Sequence, residues 1–151
     1  MAQLANFTGT TPRFALPYLF AGQAQKEFFV NEAHAITDLL LQPVVEGETN
    51  TPPVTPATGE SWLVSNNPTG AWVQNEGSLA GFYGGTWLFV PPTEGLRIWD
   101  KATRQILVYR DTWLRAAEPT ATTGGGIVDT ELRAAFSDLI EALKISGIFP
   151  A

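Results

Sequence analysis

The clearest structural signal in the chain lies in residues 78–90, Ser78-Leu79-Ala80-Gly81-Phe82-Tyr83-Gly84-Gly85-Thr86-Trp87-Leu88-Phe89-Val90. Two short runs rich in aromatic and aliphatic residues lie on either side of the Gly-Gly pair, a pattern that predicts a β-hairpin with a tight turn. The frame Tyr-x-x-Thr-Trp-Leu of this hairpin, residues 83–88, recurs at residues 109–114. The repetition favours a small meander of antiparallel hairpins.

Similar runs fill residues 60–115, where Gly, Asn, Pro and Asp separate short segments rich in Trp, Val, Ile and Tyr. Regular interruptions of this kind are typical of antiparallel strands joined by short loops. The predicted strands are Ser61–Val64, Ser78–Tyr83, Thr86–Val90, Leu96–Trp99, Gln105–Tyr109 and Trp113–Arg115. With one helix predicted on each side of this region, the expected fold class is α+β and mostly β.

An N-terminal helix is predicted over residues 21–41. Four apolar residues recur there at helical spacing and would share one face: Phe29, Ala33, Ile36 and Leu40. Pro43 ends the helix, because proline cannot donate to the helical hydrogen-bond ladder.

The remaining segments divide the chain into four parts. Residues 1–16 are polar and rich in Thr, and we interpret them as an extended N-terminal arm. The predicted domain spans residues 17–117, and its Pro-rich stretch at residues 44–59 has the composition of an ordered linker wrapped on the surface. Residues 118–126 contain three consecutive glycines and form the predicted linker to a C-terminal helix within residues 127–151.

The C-terminal helix is predicted to begin after Asp129 and to end at Gly147. Large apolar side chains repeat along it at spacings of four, three and four residues, as in two heptads of a coiled coil. This predicted oligomer seam consists of Leu132, Phe136, Leu139 and Leu143. Two heptads do not sustain an isolated helix in water, so the helix must pack on the body or on copies of itself. We predict self-association, with a homotrimer favoured.

Composition excludes several classes of protein. The 151-residue chain has nine basic and fifteen acidic residues, and its net charge of −6 argues against nucleic-acid binding, which needs cations that neutralise phosphates. The chain has no cysteine and one histidine, so we expect no metal site, no cofactor and no His-based catalysis. Only 16% of the residues are charged, against about 25% in typical domains, which indicates a surface covered by a partner or by another copy.

Nothing in the sequence predicts export or membrane insertion. No apolar run is long enough to span a bilayer, and the N-terminus lacks the basic and apolar regions of a secretion signal. We therefore expect the chain to be made in the cytoplasm and to leave it only as part of a larger assembly.

Five tryptophans, all between residues 62 and 113, are the strongest local feature of the chain. Flat amphipathic rings on a rigid sheet suit stacking on the apolar faces of sugars, with polar neighbours binding the hydroxyl groups. The candidate stacking residues are Trp72, Trp87, Trp99 and Trp113. The favoured interpretation for any one of the tryptophans is nevertheless that its ring fills the core or an interface, because a small β domain with few leucines needs large side chains.

No constellation in the sequence predicts catalysis. His34 and Asp38 are one helical turn apart, but no nucleophile or second acid accompanies them, and an ordinary surface pair is the favoured interpretation. A glycosidase needs a carboxylate pair, for which Glu46 with Glu48, or Glu94 with Asp100, are candidates, but solvated acids are the favoured interpretation. A hydrolase acting on cell wall or capsule is therefore a minor alternative, and we name no catalytic residue.

The segment around the start of the first helix has the most distinctive sequence in the chain, since its residue strings are not explained by helix or strand patterns alone. Three strings stand there in order, namely Leu16-Pro17-Tyr18, Ala21-Gly22-Gln23-Ala24-Gln25-Lys26 and Asn31-Glu32-Ala33. Together they resemble the opening signature of the family called domain of unknown function 2793. Further Pro, Gly and Trp residues follow in the family's order, so the resemblance covers roughly residues 14–100. The C-terminal helix resembles a separate tail that recurs at the ends of phage fibre and spike proteins.

This family occurs in phages, prophages and gene transfer agents, among virion structural proteins. The resemblance therefore implies a head spike, fibre, decoration or tail-fibre subunit without assigned enzyme activity, made in the host cytoplasm and carried in the virion. Its expected partners are capsid or tail proteins and further copies of itself. The residues expected to dock on the particle are Leu16, Pro17, Tyr18, Gln23, Gln25 and Lys26. The alternative function is a carbohydrate-binding module that recognises host surface polysaccharide.

Overall fold

A computed structural model describes residues 16, 17, 19, 22, 24–120, 123–126 and 129–151. Within these residues the chain forms two α-helices, eight strands and one short 3-10 helix. The helices are α1 (Lys26–Leu41) and α2 (Thr130–Ile145), and the 3-10 helix is Gly70–Trp72. The strands are β1 (Val44–Val45), β2 (Glu48–Thr49), β3 (Ser61–Val64), β4 (Leu79–Tyr83), β5 (Thr86–Val90), β6 (Arg97–Asp100), β7 (Gln105–Arg110) and β8 (Thr112–Arg115). The predicted α+β, mostly β class is confirmed.

The strands form two four-stranded sheets, one in the order β1-β6-β7-β8 and the other in the order β2-β3-β4-β5. Both sheets are mixed, since β1 runs parallel to β6 and β2 runs parallel to β3, whereas the other pairs are antiparallel. Residues 44–49 thus contribute one edge strand to each sheet. This short segment joins the two sheets at one side of the domain.

The main core lies between the two sheets and under α1. Ile36 and Leu39 of α1 pack there against inward-facing side chains of both sheets. The other buried members of this core are Val45, Leu63, Leu79, Val90, Leu96, Ile98 and Leu107. Burial alternates along β7, where Gln105 and Leu107 are buried and Ile106 is half-buried, as expected for a strand with one face on the core.

A second, aromatic cluster lies on the face of the sheet β2-β3-β4-β5 that points away from the main core. Trp72 is fully buried there, and its ring makes an edge-to-face contact with Trp87 at a centroid distance of 5.0 Å. The other members of the cluster are Trp62, Val64, Ala80 and Phe89. Large rings therefore give the second sheet a small core of its own.

The two Tyr-x-x-Thr-Trp-Leu frames form hairpins with different registers. In residues 83–88 the Gly-Gly pair has φ angles of 57° and 83°, as a two-residue type I′ turn requires. In residues 109–114 only Asp111, at φ 54°, is left-handed, and Tyr109 pairs directly with Trp113. The turn residues explain the difference in register. Two successive positive φ angles cause little steric strain in Gly-Gly but considerable strain in Arg-Asp, because only glycine lacks a β-carbon.

Two segments differ from the predictions. α1 begins at Lys26 rather than at residue 21, because Gln25 adopts a left-handed conformation (φ 52°) that does not continue a helix. Residues 44–59, predicted as a surface linker, start with the strands β1 and β2. The pair of valines at the start of this segment is the local signal for a strand, and Val45 is buried in the core.

α2 is fixed to the sheet β1-β6-β7-β8 through its C-terminal end. At its start, the Asp129 side chain accepts a hydrogen bond from the Leu132 backbone N–H at 2.8 Å, which confirms the predicted cap. Gly147 follows the helix with φ 74° and lies against the Trp99 ring, and its carbonyl accepts a 2.7 Å hydrogen bond from the Ile106 N–H. The residues after the helix therefore pack on the sheet.

Candidate functional site

The outward face of α2 carries an unburied apolar stripe. Leu132 is 66% exposed and Leu139 is 53% exposed, although both side chains are large and apolar. Ala135 and Ala142 lie on the same face at helical spacing and are exposed as well, whereas Ile140, the residue after Leu139, is buried. An apolar stripe that a folded domain leaves in water is typical of a contact with another chain.

The predicted oligomer seam lies at the border between the exposed and the buried side of α2. Leu132 and Leu139 are exposed, as an oligomer contact requires, whereas Phe136 and Leu143 are half-buried. The exposed stripe consists instead of Leu132, Ala135, Leu139 and Ala142. Docking through Gly147 sets the rotation of the helix about its axis, and this rotation determines which side chains stay in water. The role of the seam in an oligomer stays a prediction.

A groove of about 470 Å³ lies between residues of the two sheets, beside the hairpin of β7 and β8. Tyr109 and Trp113 form its aromatic wall, and their ring centroids are 5.3 Å apart at an interplanar angle of 66°. The Trp113 indole N–H donates a 2.8 Å hydrogen bond to the Gly77 carbonyl, which holds the ring in place. Rings held rigidly at the edge of a groove suit stacking on an apolar ligand surface.

The rest of this groove is mostly polar and acidic. Three carboxylates, one amide and two hydroxyl groups line it: Glu48, Glu76, Asp111, Asn66, Ser65 and Thr112. Glu48 is ion-paired with Arg115 at 2.8 Å, and Glu76 accepts a 3.4 Å hydrogen bond from the Asn67 backbone N–H. No basic side chain among the described residues lines the groove, so its charge disfavours an anionic ligand and suits a neutral one.

The four predicted stacking residues have different environments. Trp72 is fully buried, so its ring is a core residue and cannot stack on a ligand. Trp87, Trp99 and Trp113 are half-buried in contacts within the fold. Trp113, which packs against the main core, is the one of the four that also lines this groove. Tyr109 was not among the predicted stacking residues, although it begins the second Tyr-x-x-Thr-Trp-Leu frame, four residues before Trp113.

The predicted docking segment lies only partly within the described residues. Leu16 packs against the main core, and Pro17 is half-buried. Gln25 and Lys26, at the start of α1, are exposed. The other two predicted residues, Tyr18 and Gln23, lie outside the described residues.

The first turn of α1 exposes two aromatic side chains. Phe28 is 64% exposed and Phe29 is 38% exposed, whereas the buried residues of this helix are Ile36 and Leu39. Phe29 was predicted to share an apolar face with Ala33, Ile36 and Leu40, but the buried residues of α1 belong to the second half of the helix. The first turn therefore offers an apolar surface next to Gln25 and Lys26, the two exposed residues of the predicted docking segment.

The acids and the histidine considered for catalysis are in ordinary structural environments. Asp100 is buried, and its Oδ2 atom accepts a 2.6 Å hydrogen bond from Arg115. Asp38 accepts a 3.0 Å hydrogen bond from the Tyr83 hydroxyl, and partial burial together with this bond raises the pKa of Tyr83 to about 12. His34 is exposed on α1. In the part of the chain that the structure describes, no group of three or more His, Asp or Glu residues is placed to hold a metal ion.

Comparison with known proteins identifies one family. The profile of the family described as "Protein of unknown function (DUF2793)" matches residues 30–114, from α1 to β8. The match includes the strands of both sheets but neither the predicted docking segment nor α2. No curated protein matches the chain. Neither helix in the described ranges is long and apolar enough to cross a membrane.

Proposed function

The chain belongs to the DUF2793 family, and we propose that it is a virion structural protein of a bacteriophage or gene transfer agent. It is a short spike, fibre or decoration subunit that anchors to capsid or tail proteins, self-associates and performs no enzymatic reaction. The exposed apolar stripe of α2 carries this proposal. A subunit whose work is association must keep apolar surface in water until it meets its partners.

Two apolar surfaces at opposite ends of the chain support the role. One is the first turn of α1, where Phe28 is exposed beside Gln25 and Lys26. The other is the α2 stripe with Leu132 and Leu139. Because the two surfaces belong to different helices, one can bind the particle while the other binds a second copy. We assign the α1 surface to particle docking and the α2 stripe to the homo-oligomer, with a trimer favoured.

Light scattering of the purified protein tests the self-association. We expect an oligomer for the natural chain and a monomer for Leu139→Asp, because a carboxylate buried in an apolar contact without a partner opposes association. Ala134→Asp adds the same charge at an exposed position of the same helix, away from the stripe, and should leave the mass unchanged. A natural chain that stays monomeric at high concentration would contradict the proposal.

Copurification with particles tests the anchoring. Particles isolated on density gradients from a producing strain should carry the natural chain and lose Phe28→Asp. Val54→Asp is the matched control, because Val54 is 97% exposed and lies on neither helix. Retention of Phe28→Asp at the natural level would show that the chain is anchored elsewhere.

A second candidate function, binding of a host surface polysaccharide, is favoured by the groove beside Tyr109 and Trp113. A rigid aromatic wall facing amide, hydroxyl and carboxylate groups suits a sugar ring, which has one apolar face and a rim of hydroxyls. The acidic lining makes a neutral sugar the better ligand. Such binding is compatible with the structural role, since a spike or fibre subunit points away from the particle.

A glycan array tests this second function. We expect the natural chain to bind neutral glycans and Asp111→Asn to bind them more weakly. Asparagine removes the charged acceptor of Asp111 but tolerates its left-handed backbone. Glu94→Gln neutralises an exposed carboxylate outside the groove and should bind as the natural chain does. Binding to no glycan, or equal binding by both variants, would contradict the assignment.

A further inference from the structure

The outer face of the sheet β1-β6-β7-β8 is apolar and only partly covered. Its outward-facing apolar side chains alternate with those of the core, and they are Val44, Trp99, Ile106, Val108 and Leu114. Gly147, at the end of α2, covers Trp99 and bonds to Ile106. Beside this contact a groove of about 420 Å³ stays open. One part of this face is thus in contact with the end of α2 of the same chain, and another part is left open to solvent.

The open groove combines an apolar floor with two exposed cations. Val108 of β7 pairs with Leu114 of β8, and Leu114 is 48% exposed. Arg97 lies opposite Val108 on β6, and Arg110 is the next outward-facing residue along β7. Both arginines are exposed, and neither makes an ion pair or a side-chain hydrogen bond within the described ranges.

Two unpaired arginines beside apolar side chains indicate an acidic partner. The chain has only nine basic residues and a net charge of −6, so most of its surface cannot attract an acidic segment. Arg115, which also lines the groove, already binds Glu48 and Asp100. Arg97 and Arg110 are therefore the charges that remain for a partner to neutralise.

The exposed stripe of α2 has the matching surface. Glu131 and Asp138 directly precede Leu132 and Leu139, so both acids flank the stripe on the same side of the helix, and both are exposed. Seven residues of helix span about 10 Å. Diagonal cross-strand neighbours, the relation between the two groove arginines, are about 7–8 Å apart at their Cα atoms. The long arginine side chains can bridge the difference, so this spacing permits both acids of one helix to reach the two arginines at the same time.

We propose that the groove lined by Arg97, Val108, Arg110 and Leu114 is the docking site for the α2 stripe of a second copy of this chain. Glu131 and Asp138 of one copy pair with the two groove arginines of the next, while the leucines of the stripe cover the apolar floor. The contact is heterologous, and three copies related by a threefold axis close it into a ring. This inference rests on the proposed self-association and adds the surface that receives the stripe.

Charge reversal in the full-length protein, followed by light scattering, tests the docking site. Arg97→Glu with Arg110→Glu should lower the mass to the monomer value of 16.4 kDa, because acids then face acids across the contact. Glu131→Lys with Asp138→Lys should do the same, and the combination of all four changes should restore the natural mass. Lys101→Glu is the control for the added negative charge; it breaks only a surface ion pair and should leave the mass unchanged.

Each outcome decides between the docking site and its alternatives. If the arginine variant keeps the natural mass while Leu139→Asp still dissociates the protein, the groove is not the docking site. The protein then self-associates in another way, with the α2 stripes of two copies packed on each other. If the variant with all four substitutions stays monomeric although its melting temperature equals that of the natural chain, the two proposed ion pairs do not form. A monomeric natural chain contradicts the proposed function itself. All four substituted residues are exposed, and circular dichroism verifies that each variant is folded.

Discussion

A side chain at position 147 would overlap the indole ring of Trp99. Gly147 adopts φ 74°, and a β-carbon built on it would clash with the Cζ3 atom of the ring and lie 2.9 Å from the Cη2 atom. The end of α2 and strand β6 therefore approach more closely than any residue with a side chain permits. This contact orients α2 and leaves Leu132 and Leu139 in water.

Gly147→Ala should separate the end of α2 from the sheet. We expect the free energy of unfolding to fall by about 3 kcal/mol, since left-handed strain and overpacking each cost roughly 1–3 kcal/mol. Gly95→Ala is the matched control, because Gly95 has φ 83° but no atom within 4 Å of an added β-carbon, so it measures the strain alone. Urea unfolding compares the two variants. Equal losses would contradict the close contact with Trp99.

Gln105→Glu should release the C-terminus from β8. The buried Gln105 amide donates hydrogen bonds to the carbonyls of Ala116 at 2.5 Å and Ile148 at 2.8 Å. A carboxylate of the same shape cannot donate to either, and we expect a loss of about 3 kcal/mol or more at neutral pH. Urea unfolding should show partial recovery in acid, where the carboxyl group regains one donor. Gln74→Glu, at an exposed position, should change little.

Arg115→Ala should leave the buried Asp100 carboxylate without its cation. The Arg115 Nη1 atom lies 2.6 Å from the Asp100 Oδ2 atom, and the Asp100 side chain is 1% exposed. Removal of one partner of a buried pair costs about 3–5 kcal/mol. Lys101→Ala breaks the exposed pair with Glu46 and should cost less than about 1 kcal/mol. Thermal unfolding measures both, and similar melting temperatures would disprove the structural role of the buried pair.

Tyr83→Phe should weaken the pH dependence of stability in alkali. Partial burial, and then the hydrogen bond to Asp38, raises the pKa of Tyr83 from 10.0 to about 12. The unfolded chain ionises first, so this contribution to stability is complete below pH 10 and is lost as the pH rises toward 12. Solvent screens the half-exposed ring, so the effect is small. Urea unfolding across this range measures it, and identical slopes for both proteins would contradict it.

The strands were predictable because their signals are local. Ser61–Val64 and Thr86–Val90 coincide with β3 and β5, where aliphatic and aromatic runs end at turn residues. The Asp129 cap of α2 is equally local. The predicted start of α1 was too early because Gln25 has a left-handed backbone conformation. Glutamine rarely adopts this conformation, so its position in the sequence does not predict it.

The candidate sites were less predictable because they join distant parts of the chain. The groove of Tyr109 and Trp113 is completed by Glu48 and Glu76, which belong to the other sheet and to the loop after the 3-10 helix. The sequence could not distinguish a tryptophan that stacks on a ligand from one in the core, and Trp72, a predicted stacking residue, is buried. Which rings face a ligand depends on how the two sheets pack, and no local pattern contains that information.

Local patterns were enough to predict the class of fold, most of the strands and an amphipathic C-terminal helix, because hydrophobic period, turn residues and caps act over a few residues. Which apolar surfaces stay uncovered depends instead on contacts between distant residues. The rotation of α2 depends on the contact between Gly147 and Trp99, two residues far apart in the chain. With the helix held at this end, Phe136 and Leu143 are half-buried and Leu132 and Leu139 stay exposed, since a helix docked on a domain turns only one side toward it.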